Sequence, residues 1–449
     1  MKIAITTLGC KITQYDSAVI QSRLERSHSF IPFEEPADCY IINTCTVTDR
    51  ADWEARQLVL RAKRLNPGAK VLVTGCYAQV NPAEVAGVPG VDYVVGLNRM
   101  EDLLRFIDLP TEGDVGTAVS DVTRERGVPV LGTRALPGHT RAFLKIQEGC
   151  NYSCTYCIIP MARGLGRSVP PRKVLEQVRM LADAGYREIV LTGIHLGGYG
   201  QDLKPKVDLA ALLERIASNR LIPRLRLSSL DPREVPDHLL DLMATSDIIC
   251  PHLHICAQAG DDEILKRMRR NYDSAYYRAL LMKVRDRLPD AALGSDIIVG
   301  FPGETDQAFD RSLEFFAALP LTYFHVFPYS TRRGTVAASL PDHVGGDVKK
   351  ARARRMRELG AVKKRDFYLS FRGRRALVLV EEKIDPITGL RRGFSRNYLS
   401  FVVSGCGNLV NSEIEVEVEG FEGGWLRGTP LKSVSARVEC HDGFASTAN

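Results

Sequence analysis

Short apolar runs alternating with amphipathic stretches constrain this chain more than any other feature. Over the first hundred residues, KIAIT, CYIIN, KVLVT and DYVVG have strand length. DRADWEARQLVLRAKRLN, between the second and third, has helical spacing and ends in Asn-Pro-Gly. Such alternation folds as a small α/β domain with a parallel sheet. A second series follows: RAFLKIQ, REIVLTG, RLRLSSL, PHLHICA, GSDIIVG and TYFHVFP, separated by stretches such as PPRKVLEQVRMLADAG and TDQAFDRSLEFFAAL. Six β/α units in a row imply a barrel, and six are too few to close an eight-stranded ring, so one side is expected to be open. From about Gly373, RRALVLVEE, NYLSFVVSG and SEIEVEVEGF alternate apolar and polar residues with no helix between them, the pattern of a small all-β barrel. Residues 110 to 140, rich in Gly, Thr and Pro, read as a connection. The expected organisation is an α/β domain over 1–110, a linker over 111–137, a partial (β/α)6 barrel over 138–370, an all-β barrel over 371–440 and a tail over 441–449.

At 449 residues the chain is too long for one ordinary core. Its 45% hydrophobic and 25% charged content is that of a soluble globular protein, and the net charge of +6 is modest. No run approaches the roughly 20 apolar residues of a spanning helix. The apolar start of MKIAITTLGC is too short for a signal segment. A cytoplasmic location is therefore expected, with thiols kept reduced. That leaves metal binding, catalysis or inert burial for the 11 cysteines.

Three of them, Cys150, Cys154 and Cys157, lie in EGCNYSCTYCIIP, just after the first strand of the second series. A C-x3-C-x2-C loop can hold three irons of a cubane cluster and leave the fourth bare. An open metal position is where a reaction partner binds. The alternative is a structural zinc site, which needs a fourth ligand; His195 is the nearest downstream candidate. Three more, Cys10, Cys45 and Cys76, each follow a strand of the first series, at separations of 35 and 31 residues. Strand C-termini of a parallel sheet share one edge, where ligands bind in open α/β sheets, so these thiols are expected to converge. Buried inert thiols, or zinc, are the alternatives. Cys39, inside the second strand, suits plain core packing better. Cys250 and Cys256 share one strand, where Cys256 could approach the cavity although a buried free thiol is the plainer reading, and Cys406 and Cys440 have no partner at metal spacing.

The loop CNYSCTYC, with Tyr156 before the last cysteine, resembles the radical S-adenosylmethionine enzymes. In that family the amino and carboxylate groups of S-adenosylmethionine chelate the bare iron, and an electron from the cluster generates a 5′-deoxyadenosyl radical. The resemblance implies cofactor contacts at successive strand ends: Thr192 and Gly193 in LTGIH, Ser229 in RLSSLD, and Ile298 and Gly300 in IVGFPGE. Together with LGCKITQYDS, INTCTVTDRAD and VTGCYAQ, the motif CNYSCTYCIIPMARG is similar to those of the methylthiotransferases, over essentially the whole chain. The resemblance implies two 4Fe–4S clusters, one held by each cysteine trio. It also implies two S-adenosylmethionine molecules, one as methyl donor and one as radical source.

Relatives in this family act on tRNA adenosines or on a ribosomal-protein aspartate. Lys11 and Gln14 in GCKITQYDS, with TGIHLGGYG, RLSSLDP and HVFPYSTRRGT, resemble the branch that acts on N6-threonylcarbamoyladenosine at tRNA position 37; the isopentenyladenosine branch resembles G-C-Q-M-N at the first of these. The expected target is adenine C2–H. The C-terminal barrel resembles the TRAM domain, an OB-like RNA-binding module, implying contact with the anticodon loop. The junction 349 to 375 holds twelve Lys or Arg against one Glu and one Asp. From it Lys349, Lys350, Arg352, Arg354, Arg355, Arg374 and Arg375 are candidate phosphate contacts, with Arg391, Arg392, Arg396 and Tyr398 weaker ones. A solvated helix face is the plainer reading of that charge run. The family further implies an electron donor such as a flavodoxin or ferredoxin, a monomer and no membrane contact. A non-catalytic, metal-stabilised RNA-binding scaffold is the reading from another class. Thr13, Met161 and CAQAG (256 to 260) depart from the family pattern, and none of them removes a metal ligand.

Overall fold

The structure is a computed structural model, and it describes every residue except 111–112, 129–131, 134, 406–408 and 432–449. Cys406, Cys440 and the tail therefore lie outside the described residues. Two compact units form, Met1–Lys363 and Lys364–Asn449, and the division falls within the helix Gly346–Leu369.

The N-terminal part of the first unit is a six-stranded parallel sheet built from β1 (Lys2–Thr7), β2 (Ser29–Phe30), β3 (Cys39–Thr44), β4 (Lys70–Gly75), β5 (Tyr93–Val95) and β6 (Gly116–Ala118), in the order β2-β1-β3-β4-β5-β6. All six residues of β3 are buried, because helices cover both faces of the sheet. On one face Tyr40, Ile42, Val71 and Val73 pack against Ala55, Val59 and Ala62 of the helix Asp49–Leu65. On the other, Ile3, Cys39, Ile41 and Leu72 meet Ile20, Leu24, Leu103 and Phe106. Cys39 is thus a core residue, and burial pushes its thiol up to about 12. The strand β6 comes from the stretch expected to be pure connection; it pairs in parallel with β5 and extends the sheet. The chain reverses its strand order between β1 and β3, the switch point at which such sheets open a crevice. Cys10 and Cys45 follow the two strands that flank it.

The second series forms as expected. Six parallel strands, β7 (Ala142–Glu148), β9 (Glu188–Gly193), β10 (Arg224–Leu227), β11 (His252–His254), β12 (Ala292–Val299) and β13 (Tyr323–Pro328), follow one another around a partial barrel. The two-residue β8 (Arg167–Ser168) runs antiparallel beside β7. The β7–β10 and β11–β13 sheets are linked by parallel bridges, Leu225 to Ile249 and Leu230 to Ile255. At the starts of the strands, Glu188 is fully buried between Arg224 and Arg226, each donating from Nε at 2.7 Å. The strand ends face the opposite way, towards the cysteine loop.

The second unit contains a closed five-stranded barrel, β14 (Arg375–Ile384), β15 (Arg391–Ser395), β16 (Ser400–Val403), β17 (Glu413–Glu422) and β18 (Trp425–Pro430), in the order β14-β15-β16-β18-β17. In β17, Ile414, Val416 and Val418 point into the core while Glu415, Glu417 and Glu419 alternate outward.

Candidate functional site: two cysteine trios

The first trio is built by the loop that leaves β7. Gly149 sits at φ +72°, and a Cβ there would lie 2.0 Å from the carbonyl of Leu165, so only glycine lets the strand turn into the loop. Cys150 N–H donates to Gly164 O at 3.0 Å and Cys157 N–H to Cys154 O at 3.1 Å, which curls the segment back on itself. Thr155 fastens the loop to the barrel, its hydroxyl donating to Arg267 O at 2.9 Å. Burial pushes the Cys157 thiol up to about 12, with Cys154 and Cys150 close enough to add to the shift. Around the sulfurs stand cations: Arg270 Nη1 reaches Cys154 Sγ at 3.0 Å, and His195 lies beside Cys150. Arg270 is oriented by an ion pair with Asp231 and by Tyr272, whose ring lies 4.9 Å from its guanidinium. His195 pairs with Glu234, which Tyr152 also contacts at 3.1 Å. Burial pulls the imidazole down, but Cys150 and Glu234 outweigh it and raise it to about 10.

The second trio comes together across the sheet. Gly9, at φ +119°, brings its backbone against Cys45, where an added Cβ would meet Cys45 Cβ at 2.9 Å and Sγ at 3.3 Å. Cys10 caps the helix Lys11–Leu24, and Cys76 opens the five-residue helix Cys76–Val80. Burial pushes the Cys76 thiol up to about 12; Arg163 opposes this, and Cys45 and Cys10 lie near enough to add to it. The expected convergence therefore occurs.

Each trio offers three thiols, the donor set with which proteins hold iron–sulfur clusters. Zn–S bonds of about 2.3 Å bring tetrahedral sulfurs within about 3.8 Å of one another. Among the described residues, His254, Cys256 and Asp296 alone form a group of His, Cys, Asp or Glu with every ligand atom within 4.8 Å of the others.

A cavity of about 220 Å³ joins the two regions. Tyr156, Cys157, Gln258, Asp296 and Ile298 line it from the barrel, and Val47 and Thr48, just past Cys45, line it from the sheet. Cys256 stands behind this wall, its thiol donating to Asp296 of the lining at 3.3 Å. Asp296 also bonds His254 Nε2 at 2.9 Å and His325 Nδ1 at 3.1 Å, and these imidazoles hold its carboxyl far below the usual range despite burial. Ile298 lines this wall near the end of β12, and Ser229 and Gly300 follow the ends of β10 and β12. Thr192 is buried, and Gly193 has no room for a Cβ because Gln147 lies 2.9 Å away. Gly300 is covered on its open side by Lys349.

Two arginines that the sequence reading assigned no role tie the barrel to the N-terminal sheet. Arg332, after β13, is buried and donates to Thr46 at 2.7 Å and Asp49 at 2.5 Å, and it pairs with Asp52. Arg163, after the cysteine loop, reaches Cys76 Sγ, Glu148 and Asp16. Both edges of the open barrel, β7 and β13, are thus fastened to segments carrying the second trio.

The basic candidates divide. Arg352 is a correction: it is 5% exposed and bonds Glu304 and Asp306, each at 2.7 Å, so it is a buried strut with no face for phosphate. Lys349 Nζ donates to Tyr329 O at 3.1 Å, whereas Lys350, Arg354 and Arg355 stay exposed, with acidic neighbours on the surface. In the second unit Arg374 lies over Phe371, Arg375 stands 4.0 Å from Glu415, and Arg392 and Arg396 are paired with Asp385 and Glu413. Tyr398 stacks on Phe394. Among the described residues, no helix is long and apolar enough to cross a membrane.

A partial barrel of six parallel strands, with a three-cysteine loop leaving its first strand, defines a radical S-adenosylmethionine enzyme. The comparisons agree: the Radical SAM superfamily profile matches residues 144–316, and the profile described as Uncharacterized protein family UPF0004 matches residues 2–96. The chain is 40% identical to the threonylcarbamoyladenosine tRNA methylthiotransferase MtaB of Bacillus subtilis (strain 168), covering 93% of each chain. It is 39% identical to the protein of that name from Aquifex aeolicus (strain VF5), over 86% of this chain and 94% of that one. A tRNA-2-methylthio-N(6)-dimethylallyladenosine synthase of Carboxydothermus hydrogenoformans is 34% identical, over 92% and 96%. The fold is also similar to TsrM, a radical S-adenosylmethionine methyltransferase of Kitasatospora setae, with a TM-score of 0.54 and 17% identity over 75% of this chain and 77% of that one. The chain belongs to the radical S-adenosylmethionine methylthiotransferase family.

Proposed function

We propose that the protein converts N6-threonylcarbamoyladenosine at position 37 of tRNA to its 2-methylthio derivative. The observation that carries the chemistry is the cavity bordered by Cys157 of one trio and by Val47 and Thr48, which follow Cys45 of the other. Cys150, Cys154 and Cys157 are assigned to the cluster that binds and cleaves S-adenosylmethionine, and Cys10, Cys45 and Cys76 to the second 4Fe–4S cluster. The clusters supply the redox and sulfur chemistry. The protein supplies a walled space in which a carbon radical meets the adenine C2–H rather than solvent. Tyr156, Thr192, Gly193, Ser229, Ile298 and Gly300 are the proposed surroundings of S-adenosylmethionine. The substrate assignment is supported by the four relatives named as threonylcarbamoyladenosine tRNA methylthiotransferases, at 33–40% identity.

The C-terminal barrel is proposed as a TRAM-type RNA module, with Lys350, Arg354, Arg355, Arg374 and Arg375 as the remaining phosphate candidates. A monomer in the cytoplasm, reduced by a flavodoxin or ferredoxin, completes the reading. Mass spectrometry of tRNA nucleosides from a strain lacking the gene tests it. The expected result is loss of 2-methylthio-N6-threonylcarbamoyladenosine, with its unthiolated parent accumulating. Loss of the methylthio isopentenyl nucleoside instead, or unchanged tRNA with a ribosomal protein lighter by one methylthio group, overturns the substrate assignment.

A further inference from the structure

Arg163 ends the short helix Ile159–Arg163, which follows Cys157 directly. Its side chain is 2% exposed, yet it serves three partners. Nε donates to Cys76 Sγ at 3.3 Å, Nη1 to Glu148 Oε1 at 2.9 Å, and Nη2 to Asp16 Oδ2 at 3.2 Å. Lys145 bonds the same two carboxylates, Asp16 at 2.6 Å and Glu148 at 2.8 Å. Two cations therefore balance two anions, and the network is neutral before any sulfur ionises. Asp16 lies on the helix capped by Cys10, and Glu148 stands two residues before Cys150. One guanidinium thus contacts segments belonging to both trios.

We propose that Arg163 is a positioning residue for the second cluster: it holds the Cys76 sulfur against the barrel and, by its N–H bond to that sulfur, raises the cluster's reduction potential. This rests on the reading of Cys10, Cys45 and Cys76 as cluster ligands. Hydrogen bonds to the sulfurs and local charge are among the levers a protein has on such potentials. Arginine suits the task because its planar fork reaches a thiolate and two carboxylates at once, whereas a lysine ammonium is a single point. The other trio has its own arginine, Arg270 at Cys154, but that side chain is held by Asp231 and Tyr272, both within the barrel. The two arginines thus donate to different sulfurs.

The test uses full-length wild type, Arg163→Gln and Arg163→Lys, reconstituted with iron and sulfide. Both clusters are titrated by electron paramagnetic resonance in the same sample. In Arg163→Gln the midpoint of the second cluster should fall by about 59 mV, a tenfold change in a one-electron equilibrium, while that of the radical cluster stays in place. Arg163→Lys, which keeps the charge, should recover part of the shift. If the Gln variant does not load its second cluster, the Lys variant carries the test: an intermediate fall confined to that cluster supports the proposal, and an unmoved midpoint overturns it. Equal movement of both midpoints also overturns it. A wild type holding iron for one cluster only would instead refute the ligand reading on which the proposal stands.

Discussion

The two cysteine trios do similar work from opposite starting points. Cys150, Cys154 and Cys157 share one loop, curled by its own backbone bonds and pinned to the barrel by Thr155. Cys10, Cys45 and Cys76 belong to three βα units and meet only because parallel strands place their ends on one edge. The first site is a property of a peptide segment; the second is a property of a fold. Each has an arginine N–H on one sulfur, but Arg270 and Cys154 both belong to the barrel, whereas Arg163 reaches from the barrel to Cys76 of the N-terminal sheet. Lesions of the N-terminal sheet should therefore strike the second trio first.

The largest expected effects separate the two chemically. Cys154→Ala and Cys45→Ala should each abolish methylthio product, and each should lower bound iron from about eight atoms to about four. They should differ in partial chemistry. Cys154→Ala should form no 5′-deoxyadenosine from S-adenosylmethionine under reducing conditions, whereas Cys45→Ala should still form it. Chromatography of the cleavage products reads both outcomes. If Cys45→Ala also stops cleavage, the sites are not independent and the comparison breaks.

What was legible in the sequence follows the same division. The six barrel strands and four strands of the first sheet could be read because strands buried on both faces are continuous apolar runs. The strands β2, β6 and β8 were missed; with only two or three residues each, they carry no periodicity, and tertiary pairing alone makes them strands. The cysteines could be read because their positions repeat at strand exits. Arg163 and Arg332 lay inside quoted motifs without a role, since an arginine declares its partner only once the chain has folded. For Arg332 and Thr46 that partner is 286 residues away. Arg352 looked like its neighbours in the charge run, and only the inward face of its helix distinguishes it.

A control on the comparison lies at the other end of the barrel, at a distance from both trios. Burial alone would raise the Glu188 carboxyl, but Arg226 and Arg224 outweigh it and hold it well below its ordinary value of 4.5. A depressed carboxylate contributes stability that is complete above its unfolded value and is lost as pH falls through its folded one. Glu188→Gln leaves two buried guanidiniums without their counter-ion, at a cost of about 3–5 kcal/mol. Thermal unfolding of the apoprotein should show that deficit at neutral pH, and the gap to wild type should close only in strong acid, below the usual carboxylate range. Iron content, where the variant folds, should fall for both clusters alike. Selective loss of one cluster would mean that the strand starts also serve a particular trio.

The finest cut is made at Arg332. Its bonds to Thr46 and Asp49 and its pairing with Asp52 fasten the segment that follows Cys45 to the exit of β13. The bonds of this latch run to the N-terminal segment, and the cysteine loop is held separately, by Thr155 to Arg267 O and by Ala337 N–H to Thr155 O at 2.8 Å. Arg332→Ala removes charge-assisted bonds and leaves the buried Asp52 carboxylate without its cation, at a cost of about 1.5–3 kcal/mol. Because only one edge of the barrel is freed while Arg163 still grips the other, the chain should fold and load both clusters. Its second cluster should then lose iron to a chelator faster than its radical cluster, giving a biphasic decay of visible absorbance where wild type shows slower release. Arg332→Lys, with one nitrogen in place of a fork, should fall between the two. Release at one rate from both clusters would show that the second trio does not depend on this latch, and that the sheet alone holds Cys45 in place.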